Sequence, residues 1–395
     1  MADRRKNNSN NQNNQGYQQD PYNQGGYNQG PYQQGRNNQG PYQQSYEQPD
    51  PNEKIKKKRN RKRWIFAIEV LVLLLLAIGL FVASKLSKLQ KQNVAKGDII
   101  INDEISPEQV ELLSGFTNIA LYGVDTREGN LDIQAHSDTL MVASINNKTK
   151  EIKLVSVYRD TYLDNTNGEY RKATECYYFG GPQRSMNMLN KNLDLNIQDF
   201  ITVDFVVVAE VVDKLGGIEI DIQEDEIVHL NNYQVEGSQV TGKEIVPVEY
   251  AGVQTLNGLQ TLSYVRIRYT EGSDYKRTER QRTVLQKLME KAKSTDLLTL
   301  NAIIDSVADK ILTSLSTAEI LGLAKDVASY NIGPTTGFPF NYQAANISAG
   351  DCVVPVNLAK NVSELHQWMF ESSEYNPSPT VQEISNTIIN NTGIQ

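Results

Sequence analysis

One long apolar segment limits what this chain can fold into. WIFAIEVLVLLLLAIGLFVAS, residues 64–84, carries a single charge, Glu69, in 21 residues. This length matches a helix that crosses the hydrocarbon core of a bilayer. A secretory signal peptide is the alternative, but the segment lies far from the N-terminus and no A-x-A cleavage pattern follows it. We therefore predict one transmembrane helix over residues 64–84.

A basic run directly precedes the apolar segment. KIKKKRNRKR, residues 54–63, holds eight Lys or Arg residues in ten. Such a run also resembles a nuclear localisation signal or a nucleic-acid patch. Its position against the span favours a topology signal, because flanking Lys and Arg residues stay on the cytoplasmic side. We expect a single-pass protein of the cell membrane, with a signal-anchor and with residues 85–395 outside the cell.

Three polar segments lie outside the span and the predicted domain: one at the N-terminus, one directly after the span and one at the C-terminus. Residues 1–53 are mostly Asn, Gln, Gly, Tyr and Pro, in near-repeats such as GGYNQGPYQQG. Too little of this segment is apolar to offset chain entropy, so we predict a disordered cytoplasmic tail. It either serves as a solvated tether or self-associates weakly through Tyr and Gln. Residues 85–112 are predicted to form a polar stalk, and residues 371–395 a polar tail that frays.

Charge is divided unevenly along the chain, which has a net charge of −8. Residues 1–63 carry 12 basic and 5 acidic groups, so the remainder has a net charge of −15. An outer part this acidic is a poor general binder of nucleic acid, which requires a broad basic surface. We expect no nucleic-acid partner.

The chain has two cysteines, Cys176 and Cys352, and both are expected outside the cell. Disulfides are permitted there, so we predict that the two cysteines are bonded. Two buried free thiols are the alternative. No Cys-x-x-Cys occurs and the three histidines are scattered, so no zinc site is expected.

Alternating strand and helix patterns predict the fold of the outer part. FTNIALYGVD, TLMVASINN and EIKLVSVYRD are apolar runs bounded by turn residues, typical of adjacent strands. Helical spacing follows in residues 183–194 and 204–215, and again in RTERQRTVLQKLMEKAKS. We predict an α/β fold with a central mixed β-sheet covered by helices on both faces. The domain is expected over residues 113–370.

Basic side chains crowd into YVRIRYTEGSDYKRTERQR, residues 264–282. YVRIR is predicted to be a strand, in which Tyr264, Arg266 and Arg268 share one face. A helix is predicted to begin near Tyr275. On it one face presents Arg277, Arg280 and Gln281, at positions i, i+3 and i+4.

Four arginines that converge on one point repel each other unless anions lie between them. Guanidinium groups match phosphate oxygens two hydrogen bonds at a time, so the pattern favours a phosphate site. Pairing with surface carboxylates is the alternative, and such pairs contribute little to stability.

Carboxylates stand at the ends of the predicted strands. Asp125 ends the first strand, Asp138 begins the second, and Asp160 follows Arg159 at the end of the third. Singly, each aspartate is typical of a turn or a cap. Brought together, they would offer hard oxygen ligands to Mg²⁺, which keeps several waters and shares phosphate oxygens. With the arginines they predict a magnesium–pyrophosphate site.

The order of these motifs resembles that of the LytR–CpsA–Psr family. NIALYGVDTR, HSDTLMVASIN, SVYRDTY, LGG and YVRIR…DYKRTERQR cover residues 115–295, after an N-terminal membrane anchor. The resemblance implies attachment of glycopolymers, carried on polyprenyl pyrophosphate, to peptidoglycan in Gram-positive walls, with magnesium. It places Asp125 and Asp138 near the metal. It also implies the following pyrophosphate-binding residues: Arg159, Arg266, Arg268, Arg277, Arg280, Gln281 and, less strictly, Lys172.

Two positions depart from the family's usual pattern. Tyr158 stands where the family usually has Pro before the Arg–Asp pair, and His136 stands where many members have Arg. The second change removes one expected phosphate contact, and Arg127 is a candidate replacement.

The resulting hypothesis is a phosphotransferase that attaches a teichoic acid or a capsule-like polymer to peptidoglycan and releases polyprenyl phosphate. The expected catalytic residues are Arg159, Arg266, Asp138 and Asp160, either aspartate being a candidate for the general base. Residues 199–212, DFITVDFVVVAEVV, either line a tunnel for the lipid or form plain core. A lipid-pyrophosphate-binding module without turnover and a membrane-bound transcriptional attenuator are the alternatives.

The same pattern sets an expectation for substitutions. Arg266→Ala or Arg277→Ala should abolish transfer and leave thermal stability unchanged or slightly raised, because the cluster is expected to be unpaired. Arg282 is expected on the opposite helix face and should tolerate Ala.

The topology gives the first testable prediction. A reporter that is active only in the cytoplasm, fused to the C-terminus, should give no signal in intact cells, because the basic run before the span stays inside. The same reporter fused before residue 54 is the control and should be active. A strong signal from the C-terminal fusion would contradict the predicted topology.

Overall fold

The computed structural model describes residues 51–124 and 130–395. Its first helix, α1 (Pro51–Leu86), contains the basic run and the predicted span. Phe66–Leu86 is long and apolar enough to cross a membrane. Large apolar side chains on it are exposed, including Leu73 and Leu80. Because so much apolar surface is unfavourable in water, the helix fits a membrane anchor. The predicted tail lies outside the described residues, except for residues 51–53, which begin α1.

The described residues after α1 contain 13 strands and ten further α-helices. The strands are β1 (Gln90–Lys91), β2 (Phe116–Val124), β3 (Ser137–Asn146), β4 (Glu151–Val157), β5 (Tyr162–Asp164), β6 (Tyr170–Lys172), β7 (Asp199–Asp204), β8 (Ile218–Ile222), β9 (Gly252–Leu256), β10 (Ile311–Thr313), β11 (Asn331–Phe338), β12 (Tyr342–Ile347) and β13 (Gly350–Pro355). The helices are α2 (Pro107–Ser114), α3 (Ala173–Leu193), α4 (Phe205–Lys214), α5 (Glu224–Thr241), α6 (Gly258–Tyr264), α7 (Ser273–Lys293), α8 (Leu297–Val307), α9 (Thr317–Lys325), α10 (Leu358–Phe370) and α11 (Pro379–Thr392).

A seven-stranded sheet forms the centre, in the order β1-β10-β7-β2-β3-β4-β11. The three strands predicted to be neighbours, β2, β3 and β4, are adjacent and antiparallel. β7 and β11 join them in parallel, so the sheet is mixed, as predicted. Three two-stranded hairpins, β5–β6, β8–β9 and β12–β13, lie beside it.

Both faces of the sheet are covered, which confirms the predicted layering. Strand alternation sends Ala120 and Tyr122 of β2 into a core with α3, α10 and α11. Ile119 and Leu121 point to the other face and pack with α7 and α9. A separate small core joins α5, α6, β8 and β9 to α7. Helix α7 therefore packs between the sheet and this small core.

The segment predicted as a stalk is partly built into the domain. β1 pairs in parallel with β10 at the sheet edge, and Ser106 caps α2 through a capping box with Gln109. Ile105 is buried in the main core, and Val94, Ile99 and Leu112 pack against it. The prediction of a polar stalk over residues 85–112 is wrong, because apolar residues of this segment pack into the domain.

YVRIR is a turn and not a strand. Helix α6 ends at Tyr264, and the N–H groups of Arg266 and Ile267 donate to the carbonyls three residues before them. Val265 and Ile267 are buried, but so is Tyr264, which was predicted to share a face with the arginines. Val265 and Ile267 are therefore buried, and the arginines more exposed, because of the path of a tight turn and not because of strand pairing.

The predicted frayed tail, residues 371–395, contains an ordered helix. Val381, Ile384 and Ile388 on one side of α11 are buried in the main core. The carboxylate of Asp194 accepts hydrogen bonds from the N–H of Ser378, at 2.8 Å, and from its hydroxyl, at 2.7 Å. The polar composition of the segment led to the wrong prediction. Its apolar residues are few, but their spacing places them on one face of a helix.

The two cysteines are free and buried, so the prediction of a disulfide is wrong. The Sγ of Cys176 lies 3.5 Å from the carbonyl oxygen of Arg184, to which the thiol donates. Burial raises the pKa of Cys176 to about 12 and that of Cys352 to about 11. Both groups are therefore protonated, inert thiols at neutral pH.

Adjacent isoleucines test whether α11 belongs to the core. Ile388 is fully buried, whereas Ile389 is half-exposed. Ile388→Ala should lower the free energy of unfolding by about 2–5 kcal/mol, since it leaves a cavity in a packed core. Ile389→Ala is the matched control and should cost clearly less. Equal, small effects in chemical denaturation would show instead that the segment frays.

Candidate functional site

A cavity of about 640 Å³ opens beside the start of β3 and the end of β4. Its walls come from β3, the turn after β4, the start of α3, the turn between α6 and α7, and α7 itself. Eight of the predicted site residues line it: Asp138, Arg159, Asp160, Lys172, Arg266, Arg268, Arg277 and Gln281. Five cationic side chains face three carboxylates, those of Asp138, Asp160 and Glu175, so the lining has a net charge of +2.

Asp138 is the centre of this charge arrangement. One carboxylate oxygen accepts a short hydrogen bond from Arg159. The other lies 3.3 Å from Nη2 of Arg268 and 3.4 Å from Nη1 of Arg277. Arg277 also donates to the backbone carbonyl of Asp138, at 3.2 Å. The expectation that the arginines are unpaired is therefore wrong.

The three guanidinium groups determine the protonation of Asp138. Burial alone would raise the pKa of this carboxyl, but Arg277, Arg159 and Arg268 outweigh burial and hold the pKa below its usual value. A carboxylate so stabilised is a weak proton acceptor. Asp138 therefore fits an organising role better than that of a general base.

Asp160 lies on the same wall with different partners. Its carboxylate is 3.2 Å from Nζ of Lys172 and 3.6 Å from Nε of Arg159. Its Oδ1 is buried and makes no hydrogen bond within the described residues. Of the two aspartates proposed as the base, Asp160 contacts two cationic groups and Asp138 contacts three, so Asp160 is the better candidate.

Arg266 is held by two residues that the sequence did not reveal. Its Nη2 lies 3.3 Å from the Oε1 of Glu236, and its guanidinium lies 5.7 Å from the ring centre of Tyr233. Both residues are on α5, three positions apart and hence on one face. This spacing is the only sign in the sequence that the two residues act together. The contact of α5 with the turn that carries Arg266 is long-range, so the local sequence pattern could not predict it.

Two arginines of α7 have other roles than those predicted. Arg280 does not line the cavity: it donates to Glu226 at 2.7 Å, to Thr270 at 2.7 Å and to the carbonyl of Ile267 at 3.1 Å. Arg282 faces away from the cavity as predicted, but it is buried and donates to Thr335 at 3.3 Å. It is therefore unsuitable as a tolerant control.

The structure describes only some of the residues predicted to bind the metal or to replace the missing phosphate contact. Asp125 and Arg127 lie outside the described residues. His136 lines the cavity and stacks on Tyr178, with ring centres 4.6 Å apart. Within the described residues, no group of three or more His, Cys, Asp or Glu side chains is placed to hold a metal ion.

An apolar cavity of about 280 Å³ borders the charged one. The two share Phe205, Val265 and Gln281 in their walls. Ile201, Val203 and Val208 of the segment considered for a lipid tunnel line the apolar cavity, whereas Val207 and Val212 of that segment pack in cores. The segment thus lines an apolar cavity and also contributes to the core, and its role as a lipid tunnel stays a prediction. Gln281 lies at the junction, and its Oε1 is buried without a hydrogen bond among the described residues.

Comparison with known proteins finds relatives over most of the chain. The model of the LytR_cpsA_psr family matches residues 81–348. A relative from Bacillus subtilis, the polyisoprenyl-teichoic acid–peptidoglycan teichoic acid transferase TagT, is 26% identical over 70% of this chain and 86% of its own. TagU of Enterococcus faecalis, with the same activity in its name, is 31% identical over 54% of this chain and 66% of its own.

Solved structures agree on the fold. The crystal structure of protein gbs0355 from Streptococcus agalactiae is 23% identical, with a TM-score of 0.56 over 69% of this chain and 95% of the other. Fold and site together define a membrane-anchored α/β domain with a cationic cavity. The chain belongs to the LytR–CpsA–Psr family.

The charge balance at Asp138 predicts a pH-dependent loss of stability. Asp138→Asn should lower the free energy of unfolding at pH 7 by about 1–3 kcal/mol, because three buried or half-buried guanidinium groups lose their anion. The folded pKa lies below the unfolded value of about 3.9. The contribution is therefore present above about pH 4 and is lost as pH falls through the folded pKa. Urea unfolding of both proteins from pH 7 to pH 3 should show the difference shrinking, and equal stability at pH 7 would contradict this role.

Proposed function

We propose that this protein transfers a glycopolymer from polyprenyl pyrophosphate to peptidoglycan and releases polyprenyl phosphate. The polymer is a teichoic acid or a capsule-like glycan. The curated relatives support the teichoic acid class through the transferase activity in their names. The apolar α1 helix supports a site held at the cell membrane. The basic run before the span favours a domain outside the cell.

One observation carries the proposal: the cationic cavity and the apolar cavity share a wall. A pyrophosphate diester has two negative charges, which complement the net +2 of the charged lining. A prenyl chain needs an apolar channel that begins where the charged cavity ends, and the second cavity begins at Phe205, Val265 and Gln281. A water-soluble phosphate ester would use only the first cavity.

The reaction joins the oxygen of a sugar hydroxyl to the phosphorus that bears the polymer. The bond from this phosphorus to the bridging oxygen of the pyrophosphate breaks, and that oxygen leaves with polyprenyl phosphate. The acceptor's proton passes to a base, for which Asp160 is the candidate. Catalysis consists of positioning and of stabilising charge, which Arg159, Arg266, Arg268 and Arg277 supply.

Magnesium remains part of the proposal, with Asp125 and Asp138 as its ligands. Both oxygens of Asp138 already contact guanidinium groups, so a metal ion would share this carboxylate with them or displace them. When bound, the ion would neutralise phosphate oxygens. The described residues alone do not form its site, so the magnesium proposal depends on Asp125, which lies outside them.

Substitutions of two arginines distinguish a role in binding from a role in folding. Arg268→Ala should reduce transfer by about 10²–10³-fold, the usual cost of removing one donor to developing charge. Its stability should change little, because Arg268 is one-third exposed. Arg280→Ala should instead lower the free energy of unfolding by about 3–5 kcal/mol, since it leaves the buried Glu226 carboxylate unpaired. Transfer of a labelled lipid-linked glycan to peptidoglycan, with and without Mg²⁺, is measured beside denaturation curves.

Arg268→Lys is the conservative variant and should recover little activity, because an ammonium cannot make the planar two-bond contact. If the wild-type chain binds the lipid pyrophosphate but transfers nothing, it is a binding module and the proposed activity is wrong. If Arg268→Ala unfolds as readily as Arg280→Ala, the arginine is structural.

A further inference from the structure

A second, smaller cavity shares part of its lining with the first. It has a volume of about 210 Å³ and is lined by Tyr158, Arg159, Asp160, Asp274, Tyr275, Arg277, Thr278 and Val353. Arg159, Asp160 and Arg277 also line the large charged cavity. A molecule in the small cavity would thus contact three of the residues that a ligand of the large cavity contacts. We call this small cavity the tyrosine niche.

Two tyrosine rings, those of Tyr158 and Tyr275, line the niche, and a third, that of Tyr342, packs against both. The ring centres of Tyr158 and Tyr275 are 4.7 Å apart and meet edge to face, and Tyr342 packs 4.8 Å from Tyr275. Tyr158 and Tyr342 are also in contact, at 5.6 Å. Because each ring is fixed by two others, the rings present a rigid aromatic surface at low entropic cost.

The position of Tyr158 depends on a glycine in the neighbouring strand. A Cβ at Gly337 of β11 would lie 2.2 Å from the phenol oxygen of Tyr158, so only glycine leaves room for this ring. Burial raises the pKa of Tyr158, so its hydroxyl stays protonated and can donate a hydrogen bond. The tyrosine that replaces the family's usual Pro is therefore accommodated by a specific close approach.

Polar atoms that form ion pairs but make no hydrogen bond belong to three residues of the niche lining. The Oδ1 atoms of Asp160 and Asp274 and the Nε of Arg277 are buried and make no hydrogen bond within the described residues. They form ion pairs only, such as that of Arg277 Nε with Asp274 Oδ1 at 3.3 Å. Buried groups of this kind normally have partners, so these atoms are suited to the hydroxyls of a ligand.

We infer that the tyrosine niche binds one sugar ring of the acceptor glycan. The C–H groups on the face of a pyranose carry partial positive charge and pack on the negative face of an aromatic ring. The free hydroxyls would bond to Asp160, Asp274 and Arg277. This inference rests on the proposed transferase activity and assigns its acceptor to a specific site. It also explains why Asp160 lies between the cavities, where a base must meet the attacking hydroxyl.

The experiment measures acceptor and donor binding separately, on the full chain in detergent. The acceptor probe is a soluble, uncrosslinked peptidoglycan oligosaccharide, titrated calorimetrically without donor. The donor probe is a polyprenyl-pyrophosphate glycan. Tyr275→Leu should weaken acceptor binding about tenfold, equivalent to about 1.4 kcal/mol. Donor affinity should stay within twofold of wild type, because Tyr275 does not line the donor cavity.

Two variants control for the ring and for folding. Tyr275→Phe keeps the aromatic face and should bind acceptor within about threefold of wild type. Tyr250→Leu removes a tyrosine that is 64% exposed and lies outside both cavities, so it should have no effect. If Tyr275→Leu fails to fold, Tyr342→Leu replaces it, since Tyr342 supports the same ring.

The outcomes separate this inference from the proposed function. Acceptor binding that is absent in wild type, or unchanged in Tyr275→Leu, overturns the niche even if transfer proceeds. Loss of donor and acceptor affinity in parallel also overturns it, because the ring would then act on the site as a whole. Selective loss of acceptor binding supports the niche, even if the wild-type chain transfers nothing.

Discussion

The contact of one carboxylate with three guanidinium groups organises this site. Arg159, Arg268 and Arg277 come from three separate segments, and Asp138 contacts all three of them. The carboxylate therefore fixes the start of β3, the turn after β4 and the start of α7 relative to one another. It leaves the cavity with a surplus of positive charge, so an incoming dianion meets donors that are already in position.

Helix α7 connects this site to the sheet and to the small core. One side of it packs on the sheet through Leu285 and Met289, and another packs on the small core through Val284. Gln281, one turn earlier, borders both the charged and the apolar cavity. Its N-terminal turns supply Tyr275 and Arg277. Because both sides are buried, a change in the angle of this helix would alter every cavity described above.

The sequence predicted those features that depend on local pattern. Strands β2, β3 and β4 follow from apolar runs of seven to ten residues bounded by turn residues, and the convergence of Asp138 with Arg277 follows from the ends of such elements. YVRIR showed the alternation of a strand, but a strand also needs a partner, and pairing is a non-local property. Arg280 and Arg282 were misjudged for a related reason. A helix face opposite a site is exposed only if nothing else packs on it, and α7 is covered on several sides.

The short connection after α1 has a consequence for how the domain reaches its substrates. Three residues separate the end of α1 at Leu86 from β1, which is hydrogen-bonded into the sheet edge. Three extended residues span at most about 11 Å. With α1 in a membrane, so short a connection keeps this edge of the sheet close to the bilayer surface. Under the proposed function, the acceptor strands would then be those that lie next to the membrane.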